Sequence, residues 1–527
     1  MSALAFNHSF CQLTTMDSED AVITLARRKI DAEIATLKER IRALGHERNR
    51  LAPVSRCPPE VMTQIFLGLQ QLYIGQLESS GAVPLAWEYR NWITVTHVSQ
   101  RWRQTALDSK RLWNVIPIIS QRWLTYATTS FERVGSMPIF VMGGSFEWRE
   151  DVKALWASIA AECHRIRGLR GVVGSSLADF KQPMPILEDV EILTKCGLSP
   201  TIISPCLQTL VLRQGDFSWT WPVLPHLTVL KIYDPAKKIS FDSFLHILHG
   251  SPHLNHLLIH NIFSAQTDIT LSQASHPLPR LASFSVVESQ LTITLELLSR
   301  LRFANPFQID VDARHMNVNS IPQIMQALSS IVLGSSMAIR DLSLSVSSRH
   351  GHGQRPLLRL CLRGRPTNHT ISLQLSLDLG QQDELSWNDC VKYFPLQEVE
   401  ILSTNIIGNS AAWKESGLGQ LPSLRILDSH EWGSSFFEYI AEDYEEFKTS
   451  SDGHRNLSFA ALRVVTTFCP YFDNSLRTRL CTSLAGREKV GHRLKKLVFS
   501  ETALSAFAKK QLEKYVDQVV ASVKQSR

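Results

Sequence analysis

A chain of 527 residues is too long for one compact core, so at least two structural units are expected. Its 44% hydrophobic and 20% charged residues form an ordinary globular balance, which excludes a wholly disordered chain. The net charge of +6 is local. Residues 21–56 hold nine Lys or Arg against four Asp or Glu, which leaves the remainder nearly neutral and argues against a body built to grip nucleic acid.

Residues 1–20 (MSALAFNHSFCQLTTMDSED) have no basic lead-in followed by a long apolar core; they are expected to be disordered and not to direct secretion. A helix is predicted over 21–52. Ile23, Ile30, Leu37, Leu44 and Leu51 recur every seven residues, Ile34 and Ile41 fill intermediate positions, and Arg27 and Arg48 occupy the two weak ones. This 3,4 spacing is a heptad seam. It implies either self-association through residues 23–51 or one amphipathic helix packed on the next domain. Pro53, which lacks an amide donor, ends the helix.

A helical region is predicted over 54–116. In CPPEVMTQIFLGL, Pro58 and Pro59 suit a helix start and Glu60 complements the positive end of the helix dipole. Val61, Ile65, Phe66 and Leu69 are expected on one apolar face. After the looser LESSGAVP, the segment WITVTHVSQRWRQTAL reads as one helix with Val95, Val98, Trp102 and Ala106 as a buried stripe. Leu112 and Trp113 follow in KRLWNVI. The ordered set PPEV, IF, L, V-x-x-V-x-x-x-W-R and LW resembles the F-box, a short helical domain that docks on the Skp adaptor of cullin-based ubiquitin ligases. Two features depart from the family pattern: Cys57-Pro58 stands where the family opens with Leu-Pro, and the connection between the helices is longer. The resemblance implies a Skp-adaptor-binding set comprising Pro58, Pro59, Glu60, Val61, Ile65, Phe66, Leu69, Val95, Val98, Trp102, Leu112 and Trp113. It also implies a cullin scaffold beyond the adaptor, with no catalytic residue and no cofactor in this chain.

Beyond residue 150 an L-x-x-L-x-L pattern recurs. Leu187-Val190-Ile192, Leu207-Leu210-Leu212, Leu227-Leu230-Ile232, Leu254-Leu257-Ile259 and Leu281-Phe284-Val286 start 20, 20, 27 and 27 residues apart. Later copies are Leu396-Val399-Ile401, Leu424-Leu427 and Leu494-Leu497-Phe499, with weaker ones at Ile339-Leu342-Leu344 and Ile371-Leu373-Leu375. No clear copy lies between Val286 and Ile339. Short strands recurring at this interval predict an irregular leucine-rich-repeat-like solenoid over 150–500. SFDSFLHILHGSPHL reads as an intervening helix with Phe241, Phe244, Leu245 and Leu248 inward and Gly250 ending it. A closing helix over 501–527 is expected to place Leu512, Tyr515, Val516, Val519 and Val523 on one face as a cap.

Motifs for covalent chemistry are missing from the sequence. It contains no phosphate-binding G-x-x-x-x-G-K-[ST], no H-E-x-x-H and no G-x-S-x-G. In HEWGS, Ser434 stands where a second metal-binding His is required, and His350 and His352 in the basic loop RHGHGQRP supply only two ligands, so no metal site is expected. The nine cysteines form no C-x-x-C pair, which suits reduced thiols in the cytoplasm or nucleus. No 18-residue apolar run is present to span a membrane. Between Glu431 and Phe447, six acidic residues interleave with aromatics. This is read as an amphipathic helix burying Phe437, Ile440, Tyr444 and Phe447, the rival being a surface for a basic target.

The expected fold class is therefore α+α/β: an N-terminal coiled-coil-like helix, a small all-α F-box, then an irregular leucine-rich-repeat α/β solenoid. The expected function is a non-enzymatic substrate adaptor of a ubiquitin ligase, which holds the Skp adaptor through one region and an unidentified target protein through the other. A ubiquitin-independent interaction scaffold is the alternative. Neither a nucleic-acid nor a membrane partner is expected.

Overall fold

The computed structural model describes residues 5–79, 90–118, 121–143, 150–172, 180, 182–193, 204–217, 219, 223–264, 280–288, 291–316, 321–335, 337–347, 357–365, 370–377, 392–404, 410–429, 433–449, 457–467, 473–500 and 504–522. The stretch 80–89, the loop bearing His350 and His352, Glu431 and Val523 lie outside them. The chain divides into two compact units, residues 1–166 and 167–527. The boundary falls after residue 150 because helix Glu150–Ala161 belongs to the first unit.

In the first unit, α1 (Ala5–Leu51) is followed by a 3-10 turn (Pro53–Arg56), α2 (Pro59–Ser79), a 3-10 segment (Arg90–His97), α3 (Gln100–Asp108) and a 3-10 turn (Lys110–Trp113). Strand β1 (Val115–Ile118), α4 (Leu124–Val134), β2 (Ile139–Gly143) and α5 (Glu150–Ala161) complete it. β1 and β2 pair in parallel, with Val115 opposite Phe140. Two expectations are corrected here. The first helix begins at Ala5, so residues 5–20 are helical instead of disordered; they contain no Pro or Gly to stop the helix propagating. The second helix of the 54–116 region is broken in two. Ser99 is extended, and its hydroxyl accepts from the Trp102 amide at 3.2 Å, so α3 starts there; the β-branched run Thr94-Val95-Thr96 before it is 3-10.

In the second unit the strands are β3 (Ile166–Val172), β4 (Asp189–Leu193), β5 (Thr209–Arg213), β6 (Val229–Tyr233), β7 (His256–His260), β8 (Arg280–Glu288) and β9 (Arg302–Met316). They continue as β10 (Ala338–Ser347), β11 (Leu357–Arg365), β12 (Thr370–Leu377), β13 (Ile401–Thr404), β14 (Ile426–Ser429), β15 (Val464–Thr467), β16 (Leu494–Ser500) and β17 (Val516–Ser522). β3 to β9 pair in order, β9 then pairs with β12, β12 with β11, β11 with β10 and β10 with β13, after which order resumes to β17. Among the described residues this is one open sheet, parallel except for β11. Helices α6 (Phe241–His249), α7 (Leu291–Arg300), α8 (Ile321–Gly334), α9 (Ser410–Glu415), α10 (Gly433–Thr449), α11 (Asn474–Lys489) and α12 (Ala506–Leu512) lie in the connections.

One face of the sheet is the core. Leu210, Leu230, Leu257, Phe284 and Ile309 are successive register partners, and each is buried. In α6, Ser240 caps the N-terminus, and Phe241, Phe244, Leu245 and Leu248 are buried.

Three details of the predicted repeats change. The copy read at Ile401 is Val399-x-x-Leu402-x-Thr404; Ile401 is half-buried while Leu402 pairs with Leu342 and Leu427. The region between Val286 and Ile339 holds β9, whose buried Phe307, Ile309 and Val311 alternate without a leading leucine. The predicted C-terminal helix is a short helix plus a strand. Val516 and Val519 pair with Leu494 and Leu497, because β-branched Val516, Val519 and Val520 favour extended backbone once a neighbouring strand edge is offered.

The acidic-aromatic segment is α10. It buries Phe436, Phe437, Tyr439 and Ile440, leaves Tyr444 and Phe447 half-buried and exposes Glu442 and Glu445. Its Asp443 is buried and accepts from the Ser458 amide at 2.9 Å and the Ser458 hydroxyl at 2.8 Å. Arg487 donates to the carbonyls of Ser458 (2.8 Å) and Phe459 (2.6 Å), holding a left-handed turn at Phe459 (φ +53°). Burial pulls the Arg487 guanidinium down to about 10, with Asp443 opposing that shift, so it stays charged at neutral pH. Among the described residues, no helix is long and apolar enough to cross a membrane.

Candidate functional site

One helix that the described residues leave partly uncovered is α2. Its inward face is Met62, Phe66 and Gln70, four residues apart and all buried. The Phe66 ring lies 5.3 Å from Trp102, and the Gln70 amide donates to the Leu112 carbonyl at 3.0 Å, tying α2 to the Lys110–Trp113 turn. Behind them, Trp92 and Trp113 pack edge to face at 5.6 Å, and the Trp113 indole N–H donates to Ala106 at 2.9 Å.

The outward face of α2 is also aliphatic. Val61 (47% exposed), Ile65 (49%) and Leu72 (65%) fall on one line along the helix, about 16 Å long at 1.5 Å per residue. Gly68 sits in the middle of that line, and a Cβ built there meets nothing within 4 Å. Val98, from the segment before α3, is exposed as well. The corner leading into the helix is fastened by Arg101, whose guanidinium donates to the carbonyls of Ser55 and Cys57. Arg103 donates to the Thr96 carbonyl at 3.1 Å, and an open groove of about 500 Å³ runs between Pro59, Glu60, Thr63 and Gln64 on α2 and Arg101 and Gln104 on α3.

The expected docking set therefore separates in two. Pro58, Pro59, Glu60, Val61, Ile65 and Val98 are exposed, while Leu69 and Trp102 are half-buried at the edge. Phe66, Val95, Leu112 and Trp113 are core, so they brace the surface and cannot themselves be its contacts. The single apolar face read from the sequence is corrected to two faces. α2 carries aliphatic and aromatic residues around more than half its circumference, and among the described residues the neighbouring elements bury the Phe66 side. Leu72, Gly68, Met62 and Arg101 were missed. The i, i+4, i+11 spacing from Val61 through Ile65 was the available signal for Leu72.

A second surface lies on the outward side of the sheet. Arg213, Tyr233 and His260 are register neighbours; the Arg213 guanidinium sits 4.2 Å over the Tyr233 ring and donates to Glu191 at 3.0 Å. Burial pushes the Tyr233 hydroxyl up, so it stays protonated at neutral pH. Among the described residues, no group of His, Cys, Asp and Glu is arranged to hold a metal ion. No protein-family model matches the chain, and no curated protein matches it.

Proposed function

We propose that this chain is a non-catalytic substrate adaptor of a Skp–cullin–F-box ubiquitin ligase, with residues 54–116 as its F-box and residues 167–522 as an irregular leucine-rich-repeat solenoid. One observation carries the reading. The α2 helix keeps Val61, Ile65 and Leu72 in water while it buries Met62, Phe66 and Gln70 on its other face, as a helix made to be shared with a partner does. The order of motifs from Pro58-Pro59 to Leu112-Trp113 supports the same reading. The Skp adaptor would cover the Val61–Leu72 line together with Pro59 and Val98, and the cullin would be reached through it. The outward face of the sheet around Arg213, Tyr233 and His260 would hold the target. No residue of this chain would do covalent chemistry; the gain is proximity between the target and the ubiquitin-loaded enzyme, in the cytoplasm or nucleus.

A ubiquitin-independent scaffold is the second reading, favoured by the exposed seam of α1. Purified chain mixed with a Skp-family adaptor at micromolar concentration separates the two. Retention of the adaptor, reduced about thirtyfold or more by Val61→Asp combined with Ile65→Asp, supports the ligase reading. Failure of the parent chain to retain the adaptor leaves the scaffold.

A further inference from the structure

The α1 seam is as open as the α2 line and much longer. Ile23, Ile30, Ile34, Leu37, Ile41, Leu44 and Leu51 are all between 42% and 72% exposed, and residues 21–44 have no buried or half-buried side chain. Among the described residues, nothing covers this helix between residues 21 and 44. A seven-residue repeat is the period of two helices wound on each other, not of one helix laid on a globular body.

We propose that α1 pairs with α1 of a second copy as an antiparallel two-helix coiled coil, in the register that sets Ile34 against Leu37 of the other copy. The proposal is independent of the ubiquitin reading. It rests on what each alignment does with the charges. In heptad positions, Arg27, Ile34, Ile41 and Arg48 are a, Ile23, Ile30, Leu37, Leu44 and Leu51 are d, Asp31 and Lys38 are e, and Glu33, Arg40 and Glu47 are g. A parallel, in-register dimer would face Arg27 with Arg27 and Arg48 with Arg48 inside the seam, two like-charge contacts where apolar residues belong. An antiparallel dimer packs a against d. Arg27 then meets Leu44 and Arg48 meets Ile23, and each long stem can lie along an aliphatic neighbour with its guanidinium in water.

The flanking charges select one antiparallel register out of three. With Ile34 on Leu37, g faces g as Glu33 with Arg40, and e faces e as Asp31 with Lys38. Two-fold symmetry makes each attractive pair occur twice. Sliding one copy by a heptad in one direction opposes Glu33 to Glu47, Arg40 to Arg40 and Lys38 to Lys38. Sliding it the other way opposes Glu33 to Glu33 and Asp31 to Asp31. The favoured register also overlaps residues 20–51 completely with their counterparts, a rod of roughly 48 Å that leaves the two Pro53 corners at opposite ends.

The test uses the full-length chain. Sedimentation analysis should show a dimer at micromolar concentration, and Ile34→Lys with Leu37→Lys should give a monomer with the parent's melting curve, since both side chains are exposed in the single chain. Glu33→Lys should weaken the dimer about tenfold. Adding Arg40→Glu should restore it, whereas adding Lys38→Glu, the change that would rescue a parallel pair, should not. In a chain carrying Arg27→Cys and Leu44→Cys, mild oxidation should link residue 27 of one copy to residue 44 of the other, as mapped by mass spectrometry. A monomeric parent, a dimer that survives the double lysine change, rescue by Lys38→Glu, or 27–27 and 44–44 links would overturn the proposal.

Discussion

The sheet of the second unit and the two long helices of the first both carry regular aliphatic patterns, yet they dispose of them in opposite ways. From β4 to β8, each copy of the repeat buries Val190, Leu210, Leu230, Leu257 and Phe284 against the copies beside it. Along α1 and the outward side of α2, residues of the same kind, at equally regular spacing, remain in water. The difference is one of supply. The strands of the sheet cover one another's apolar side chains, whereas among the described residues no neighbour covers the stripes of α1 and of the outward side of α2. Regularity alone therefore marks an apolar surface, and the structure distinguishes the surfaces that the chain buries itself from those that it leaves exposed.

The strongest way to break that comparison is inside the array. Leu210→Asp or Leu257→Asp places an unpaired charge in the core and should cost more than about 4 kcal/mol, with neighbouring strands lost together. Circular dichroism during denaturant titration checks it. If both variants keep the parent's midpoint, the strand register is wrong.

A finer contrast lies between adjacent residues of α2. Phe66→Ala removes a buried ring packed on Trp102 and should cost about 3–5 kcal/mol, seen as an earlier unfolding transition of the first unit. Ile65→Ala, one residue earlier, should stay within about 0.5 kcal/mol, because its side chain is already half in water. Equal losses at the two positions would mean that α2 has no free face.

The array was legible in the sequence where three apolar residues mark each strand, from Leu187 to Val286. It was less so in β13 to β15, where the third position is Thr404, Ser429 or Thr467, all buried, so a search for leucine misplaces or overlooks the copy. At the C-terminus, Leu512, Val516 and Val519 suit a helix face and a strand equally; the open edge of β16 decides, and that edge is a tertiary fact. In the candidate site, the residues bearing the pattern were visible, but not their partition. Val61 and Phe66 look alike in a hydrophobicity pattern, and which one is covered depends on Trp102 and Leu112, some 40 residues away in the chain.

The most direct measurement concerns Gly68. It lies at the centre of the outward line of α2 with open space above it, and Arg is a better helix former than Gly, so Gly68→Arg should leave the melting curve of the chain at or slightly above the parent's. The same change puts a long cation in the middle of the proposed contact. Calorimetric titration with a purified Skp-family adaptor should therefore show binding by the parent chain at micromolar concentration or tighter, and at least about thirtyfold weaker binding by Gly68→Arg. Undiminished binding by the variant would contradict the assignment of this face, and absence of binding by the parent would contradict the adaptor function itself.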